Sequence, residues 1–288
     1  MRVGIDIGGT TVKIGLVENK KIISSFEIKT KKDTLFKDIK DSIRKYDNIE
    51  FIGIGVPGAI KNNYIYRLPN IGIENVDLNK EFSEFNCKIG ATNDANRAAL
   101  GEAIYDNNVK SCYFITLGTG VGGGYIYDGK IVNGASSSAG EIGHTFIDPI
   151  NNYKCTCGKC GCLETVSSAT GIVRLFNDNK GKYKTSIDKE NVTTKDIFDA
   201  AKEGDELSLY VVNFATRILG IAIANIEATV DPESVIIGGG VSKAGDFLLE
   251  LVKKYYKEYA FYMQKDKKIS LAKLGNSAGM LGARYIEV

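Results

Sequence analysis

One pattern occurs twice in this chain. Residues 2–7 and 12–17 read as short apolar strands separated by Gly8-Gly9-Thr10-Thr11, and a turn at Glu18-Asn19-Lys20 leads into a third strand over 21–28. The same order returns later. An apolar strand over Ser111–Leu117 runs into Thr116-Leu-Gly-Thr-Gly, which reaches its turn at Asp128-Gly129-Lys130 at the same offset as Asp6-Ile-Gly-Gly-Thr reaches its own. A repeated unit of strand, glycine turn and hairpin points to two related lobes, each offering a glycine-rich loop to a ligand lying between them. With 288 residues, 43% of them hydrophobic, the chain is long enough for two cores of ordinary domain size.

Between and after the repeats the periodicity is helical or that of a buried strand. Leu35, Ile39, Ile43 and Tyr46 recur at helical spacing and predict a helix over 34–46, followed by a buried strand, Phe51 to Val56, that Pro57-Gly58 ends. A helix is expected over 94–105 with Asn93 or Asp94 near its N-cap, and others over 193–203 and 206–229. Ser234-Val-Ile-Ile runs into Gly238-Gly239-Gly240 before a helix near 244–258. Lys+Arg number 37 against 35 Asp+Glu without long blocks of either sign, which argues against a nucleic-acid footprint or a polybasic membrane patch. The N-terminus enters a strand pattern without a secretion signal, and no run is expected to approach the length of a membrane span, so a cytoplasmic protein acting on small molecules is expected.

Backbone N–H groups approach phosphate oxygens closely only where side chains are absent, so Gly8-Gly9 and Gly118-Thr119-Gly120 are candidates for a nucleotide cradle, with hydroxyls of Thr10, Thr11 and Thr119 as added donors. Gly118, Gly120 and Gly123 also fit a dinucleotide-binding fingerprint. That motif opens a helix, whereas Tyr125-Ile-Tyr-Asp-Gly-Lys-Ile continues as strand, turn and strand, and a Walker-type loop is absent. Of six cysteines, Cys155, Cys157, Cys160 and Cys162 crowd one segment after His144, the only histidine. Such N and S ligands in a glycine-bearing loop suit a closed tetrahedral zinc site better than disulfides in a chain without a secretion signal. Cys87 and Cys112 read as buried structural thiols.

Three segments carry a family resemblance: Asp6-Ile-Gly-Gly-Thr-Thr-Val-Lys13, Thr116-Leu-Gly-Thr-Gly-Val-Gly-Gly-Gly124 and Ile236-Ile-Gly-Gly-Gly-Val-Ser-Lys243. They resemble the phosphate-1, phosphate-2 and adenosine segments of ROK-family sugar kinases, and Gly275 to Ala283 is similar to the family's closing segment. The resemblance implies an α/β, actin/hexokinase-like two-lobed fold of duplicated ribonuclease-H-like domains. One lobe would cover 1–115, completed by a C-terminal helix at about 275–288, and the other 116–274, with a zinc loop at 144–162. It implies ATP, Mg²⁺ and a structural Zn²⁺. Asp6, Gly8, Gly9, Thr10, Thr11, Lys13, Gly118, Thr119, Gly120, Gly238, Gly239 and Gly240 would face the nucleotide, with Asp6 on the magnesium–phosphate side.

In the family the Asp of Asn93-Asp94-Ala-Asn96 is the base that takes the proton of the attacking hydroxyl, the one covalent task that phosphoryl transfer leaves to a side chain. Gly58, Asn70, Asn93, Asp94, Glu141, His144 and Glu164 would bind the sugar, the carboxylates accepting from its hydroxyls. The family's cysteine pattern selects Cys155, Cys157 and Cys162 with His144 as metal ligands and leaves Cys160 variable. Asn70 to Leu78, Cys162 to Arg174 and Gly239 to Gly245 look most like bacterial ROK glucokinases, so glucose is the expected hexose and a homodimer or homotetramer the expected assembly. Ile73 stands where glucokinases typically have Trp, and kinase activity on N-acetylmannosamine, mannose, allose or fructose, or a non-catalytic sugar sensor, are the alternatives. A ROK-type repressor carries a DNA-binding segment ahead of the lobes, for which Asp6 lies too near the start.

Overall fold

The computed structural model describes residues 1–18, 21–105, 109–275 and 278–283. Residues 19–20 of the expected turn, and 276–277 and 284–288 of the expected C-terminal helix, lie outside the described residues. The chain forms two compact units: one from Met1–Ser111, Gly124–Ala139 and the stretch from Leu274 onward, the other from Cys112–Gly123 and Gly140–Lys273.

The first unit opens with the meander β1 (Arg2–Ile7), β2 (Thr11–Glu18) and β3 (Lys21–Lys29), then α1 (Leu35–Ile43) and β4 (Phe51–Val56). A small sheet of β5 (Ala59–Lys61), β6 (Tyr64–Leu68) and β7 (Ile73–Asp77) follows, then α2 (Leu78–Glu81), β8 (Lys88–Asn93) and α3 (Asp94–Tyr105). The main sheet is ordered β3-β2-β1-β4-β8, with β1, β4 and β8 parallel. All six residues of β4 are buried, as a central parallel strand covered on both faces requires. Leu35, Ile39 and Ile43 bury one face of α1 in a core with Val3, Ile5, Ile14, Ile52 and Ile54. The helix is shorter than its periodicity predicts, because beyond Arg44 the bonding tightens to a three-residue turn, the Tyr46 N–H donating to the Ile43 carbonyl at 3.0 Å.

The short C-terminal helix, Ala278–Ala283, lies against α3 of this unit at backbone distance. A Cβ on Gly101 would sit 2.1 Å from the Ala278 carbonyl oxygen, and one on Gly282 would sit 1.9 Å from that of Arg97, so only glycine allows the approach.

The second five-stranded sheet repeats the first in order, β11-β10-β9-β12-β13, built from β9 (Ser111–Leu117), β10 (Val121–Tyr127) and β11 (Lys130–Ile131), then β12 (Ser234–Gly238) and β13 (Lys268–Leu271). β12 runs parallel to both β9 and β13. Asp128 and Gly129, at φ 49° and 72°, form the left-handed two-residue turn between β10 and β11 that a right-twisted hairpin favours. The second unit's helices are α4 (Glu164–Ser167), α5 (Ala169–Asn179), α6 (Thr194–Lys202), α7 (Glu206–Val230) and α8 (Asp246–Tyr259). Thr193 and Asp196 close a capping box on α6, the start signal that the sequence carries. By length and a hydropathy of 1.7, α7 would pass for a membrane span, but 67% of that window is buried within the protein, as in a core helix.

Candidate active site

In the first unit the chain leaves β1 at Asp6 and turns through Gly8 and Gly9. The Gly8 N–H donates to the Thr11 carbonyl at 2.9 Å, and Thr30 donates its hydroxyl to the Gly8 carbonyl at 2.7 Å, so the turn is closed and tied to the end of β3. A Cβ on Gly9 would lie 3.9 Å from the Asn70 Cβ, which makes exposed Asn70, in the turn after β6, a neighbour of this loop. Gly58 abuts the Arg67 carbonyl, 2.3 Å from where its Cβ would be. Lys13 stands opposite Asp6 in the β1–β2 register, its Nζ 3.9 Å from Glu27 Oε1 on β3. Ile73 is 8% exposed and belongs to the core.

The start of α3 resolves an ambiguity between two good capping residues. Asn93 Oδ1 accepts the Asn96 N–H at 2.8 Å, so Asn93 caps the helix; among the described residues Asp94 accepts only the adjacent Ala95 N–H, at 2.9 Å. The Asp94 carboxyl reaches solvent, yet the protein around it is dense enough that loss of water pushes its pKa above the ordinary carboxylate value, with Asp6 adding to the shift and the Arg97 guanidinium opposing it. Arg97 is only 2% exposed and donates from Nη2 to Asp6 Oδ1 at 2.7 Å and from Nη1 to the Ile5 carbonyl at 3.0 Å. Sequence reasoning missed this residue; its one signal was an arginine among alanines in the first turn of an otherwise small-residue helix.

In the second unit Gly118 donates its N–H to the Gly120 carbonyl at 2.9 Å, the counterpart of the Gly8 turn. The loop is fastened to α5: Ala169 N–H donates to the Gly118 carbonyl at 2.8 Å and the Thr170 hydroxyl to the Thr119 carbonyl at 2.7 Å. Glu164 Oε2 accepts the Val121 N–H at 3.3 Å and would stand 2.5 Å from a Cβ on Gly120. The loop after β12 passes Gly239, at φ 87°, against the Leu117 backbone. Beyond it a cavity of about 240 Å³ is walled by Ala169, Thr194, Phe198, Gly240, Val241 and Lys243. Glu141 is exposed beside the short turn Ile142–His144, and its charge, after burial, helps raise the Tyr113 pKa to about 12.

Donor atoms of His144, Cys155, Cys157 and Cys162 all lie within 4.8 Å of one another. The Cys155 Sγ is 3.6 Å from His144 Nδ1, and Cys157 Sγ is 3.7 Å from Cys162 Sγ. A tetrahedral zinc with bonds of about 2.3 Å to sulfur and about 2.05 Å to nitrogen has edges of roughly 3.55 Å (S–N) and roughly 3.75 Å (S–S), so the donor set fits that ion. The Cys157 N–H faces the Cys155 sulfur at 3.5 Å, as amides do around bound thiolates. Burial first, with the Glu164 carboxyl and the neighbouring thiols adding to it, pushes the Cys155 thiol up to about 12 and raises Cys162 as well, so these thiols release their protons near neutral pH only beside a cation. Exposed Cys160 is not in the set. Glu164 Oε1 borders the cluster, 3.0 Å from Cys155 Sγ and 3.9 Å from His144 Nδ1. The structure thus brings Glu164, His144, the Gly120 loop and the cysteines into one neighbourhood, and Asp6, Arg97 and Asp94 into another.

The chain and its fold have known relatives. The chain is 39% identical to a glucokinase of Halalkalibacterium halodurans, over 99% of this chain and 94% of the relative. The solved ROK hexokinase of Thermus thermophilus superposes with a TM-score of 0.87 at 28% identity, covering 99% of this chain and 96% of that one. A ROK family glucokinase from Streptomyces griseus, solved in complex with glucose and AMPPNP, superposes with a TM-score of 0.76 at 28% identity, covering 98% and 97%. The fold is actin/hexokinase-like. The model of the ROK family matches residues 2–287, and the chain belongs to that family.

Proposed function

We propose that this protein transfers the γ-phosphoryl group of ATP to the 6-hydroxyl of a hexose, with glucose the preferred acceptor. The observation that carries the reading is the division of labour at the start of α3: Asn93 caps the helix, which leaves the Asp94 carboxylate free for a proton. Attack of a neutral hydroxyl on ATP leaves one proton needing an acceptor within hydrogen-bond reach, and a carboxylate with a raised pKa accepts it more readily than an ordinary one. Relatives named as glucokinases, one solved with glucose and AMPPNP, support both substrates.

On this reading Asn70, Asn93, Glu141, His144 and Glu164 hold the hexose hydroxyls, with the backbone at Gly58 beside them. The Gly8-Gly9-Thr10-Thr11 and Gly118-Thr119-Gly120 turns, with Lys13, receive the phosphates, and Gly238-Gly239-Gly240 passes the adenosine beside the cavity that Phe198 and Val241 wall. Asp6 is the carboxylate for the magnesium side, where the cation when bound neutralises charge building on the phosphate oxygens. His144, Cys155, Cys157 and Cys162 hold zinc as a structural clip, ordering the loop from which Glu141, His144 and Glu164 project. A cytoplasmic enzyme assembled as a homodimer or homotetramer completes the reading, and light scattering on the purified chain tests the assembly.

The test combines ATP consumption over a hexose panel with Asp94→Asn. Glucose should show the highest kcat/KM, and a higher value for N-acetylmannosamine or fructose would reassign the substrate. The Asn side chain still accepts the Ala95 N–H but takes no proton, so kcat should fall by on the order of 10²-fold or more with hexose affinity nearly unchanged. Near-normal single-turnover rates for the folded variant would remove Asp94 as the base.

A further inference from the structure

We propose that Arg97 is a positioning residue for phosphoryl transfer: its buried guanidinium fixes which way the Asp6 carboxylate points, and Gly55 and Gly279 exist as glycines to seat it. The proposal rests on the kinase reading above. Nη1 holds the Ile5 carbonyl and Nη2 holds Asp6 Oδ1, so both bonds fall on adjacent residues of β1 and the fork cannot swivel independently of the strand. With Oδ1 engaged, the carboxylate's other oxygen is directed by the same contact. Asp6 keeps 24% of its side chain exposed while Arg97 keeps 2%, so the carboxylate reaches outward and the guanidinium behind it does not.

The seat is tight on two further sides. A Cβ on Gly55, the β4 residue in register with Asp6, would fall 2.1 Å from the guanidinium carbon. A Cβ on Gly279 of the C-terminal helix would fall 3.0 Å from that carbon and 3.1 Å from Asp6 Oδ2. Three elements of the first unit therefore enclose one ion pair.

Stability alone does not account for it. Among the described residues, buried Arg97 Nε has no hydrogen-bond partner, and a buried ion pair is often no more stabilising than apolar side chains of similar volume. A rigid fork does provide what an apolar side chain cannot, which is directional control over a carboxylate.

The test compares Arg97→Met, Arg97→Lys and Gly279→Ala with wild type, after each is checked for folding, by kcat and by separate KM values for Mg–ATP and hexose. In Arg97→Met, Asp6 is free to rotate, and an error of about 1 Å in a reacting constellation costs on the order of 10²-fold, so kcat should fall at least about 30-fold and KM for Mg–ATP should rise, with hexose KM within about threefold. Lys keeps the charge without the fork and should recover part of the rate. Gly279→Ala removes no charge but shifts the pair by a few tenths of an ångström, and should lower kcat by roughly 3–10-fold with hexose KM unmoved. Wild-type kcat and Mg–ATP KM in folded Arg97→Met overturn the proposal; if that variant does not fold, wild-type kcat in folded Gly279→Ala overturns it. An inactive wild-type chain sinks the kinase reading itself, whereas an active one with equally active variants sinks the role of Arg97 alone.

Discussion

Gly120→Ala separates the hexose site from the phosphate loop. The backbone there takes no left-handed angle, so alanine carries no conformational strain and the effect is steric. The new methyl would stand 2.5 Å from Glu164 Oε2, roughly 1 Å inside ordinary van der Waals contact, and the flexible carboxylate head is the part that gives. Its retreat stretches the 3.3 Å bond from the Val121 N–H past hydrogen-bond range and turns Oε1 from Cys155 Sγ and the Thr156 hydroxyl, now at 3.0 and 3.2 Å. Hydrogen bonds to a charged acceptor contribute about 1.5–3 kcal/mol, so a hexose hydroxyl that loses Glu164 should bind about 10–150-fold more weakly. Stability should change much less, because the displaced head, already 16% exposed, is taken up by water. Calorimetric titration of glucose without nucleotide reads this directly, with the melting temperature as control. Unchanged glucose affinity in the folded variant would refute Glu164 as a sugar ligand held from behind by this loop; weaker Mg–ATP binding alone would leave the loop a purely nucleotide element.

Metal analysis of protein purified without added zinc should find one zinc per chain, and Cys157→Ser should lose it, lower the melting temperature and weaken glucose binding together; a metal-free chain of equal stability and activity would remove the structural clip. Glu227, fully buried at the end of α7 and 3.1 Å from Lys267 Nζ, has its pKa raised by burial to about 7 from 4.5. Ionising it therefore costs native-state stability that is absent below pH 4.5, grows to about pH 7 and persists above, so Glu227→Gln should gain on wild type by on the order of 1–3 kcal/mol at pH 8 and hardly at all at pH 4.5. A melting-temperature difference that does not change between those pH values would show the carboxyl to be unperturbed.

What the sequence disclosed was what short-range pattern encodes. The span of α3 follows from its first-turn polar residues, and a metal-binding cluster from cysteine spacings too short for the ligands to separate, although the choice of His144, Cys155, Cys157 and Cys162 over Cys160 came from the family resemblance. Which of Asn93 and Asp94 caps α3 was not legible, because both side chains cap well and only geometry distinguishes them. The β5–β7 sheet went unseen although Asn62-Asn63, both at positive φ, make the two-residue turn between β5 and β6. Arg97 was beyond reach for a different reason: its partner Asp6 is 91 residues away, and no local periodicity reports so distant a contact.

The duplication shows how one topology yields two chemistries. Asp6 and Thr116 occupy the same place in the repeat, each near the end of the strand that enters a glycine turn. Each is registered against a glycine of the next parallel strand, Asp6 against Gly55 and Thr116 against Gly238. The space each glycine leaves is filled differently. Over Gly55 it holds the Arg97 guanidinium, 2.1 Å from a would-be Cβ; over Gly238 it holds the Phe114 ring, with Cζ 2.7 Å from one. A guanidinium supports an ionised carboxylate beside it, whereas an aromatic ring would leave that charge without compensation and suits a neutral hydroxyl. The residue filling the glycine's space therefore decides whether a strand end can carry an acid, and exchanging Asp6 for Thr116 between the units would fail unless Arg97 and Phe114 were exchanged with them.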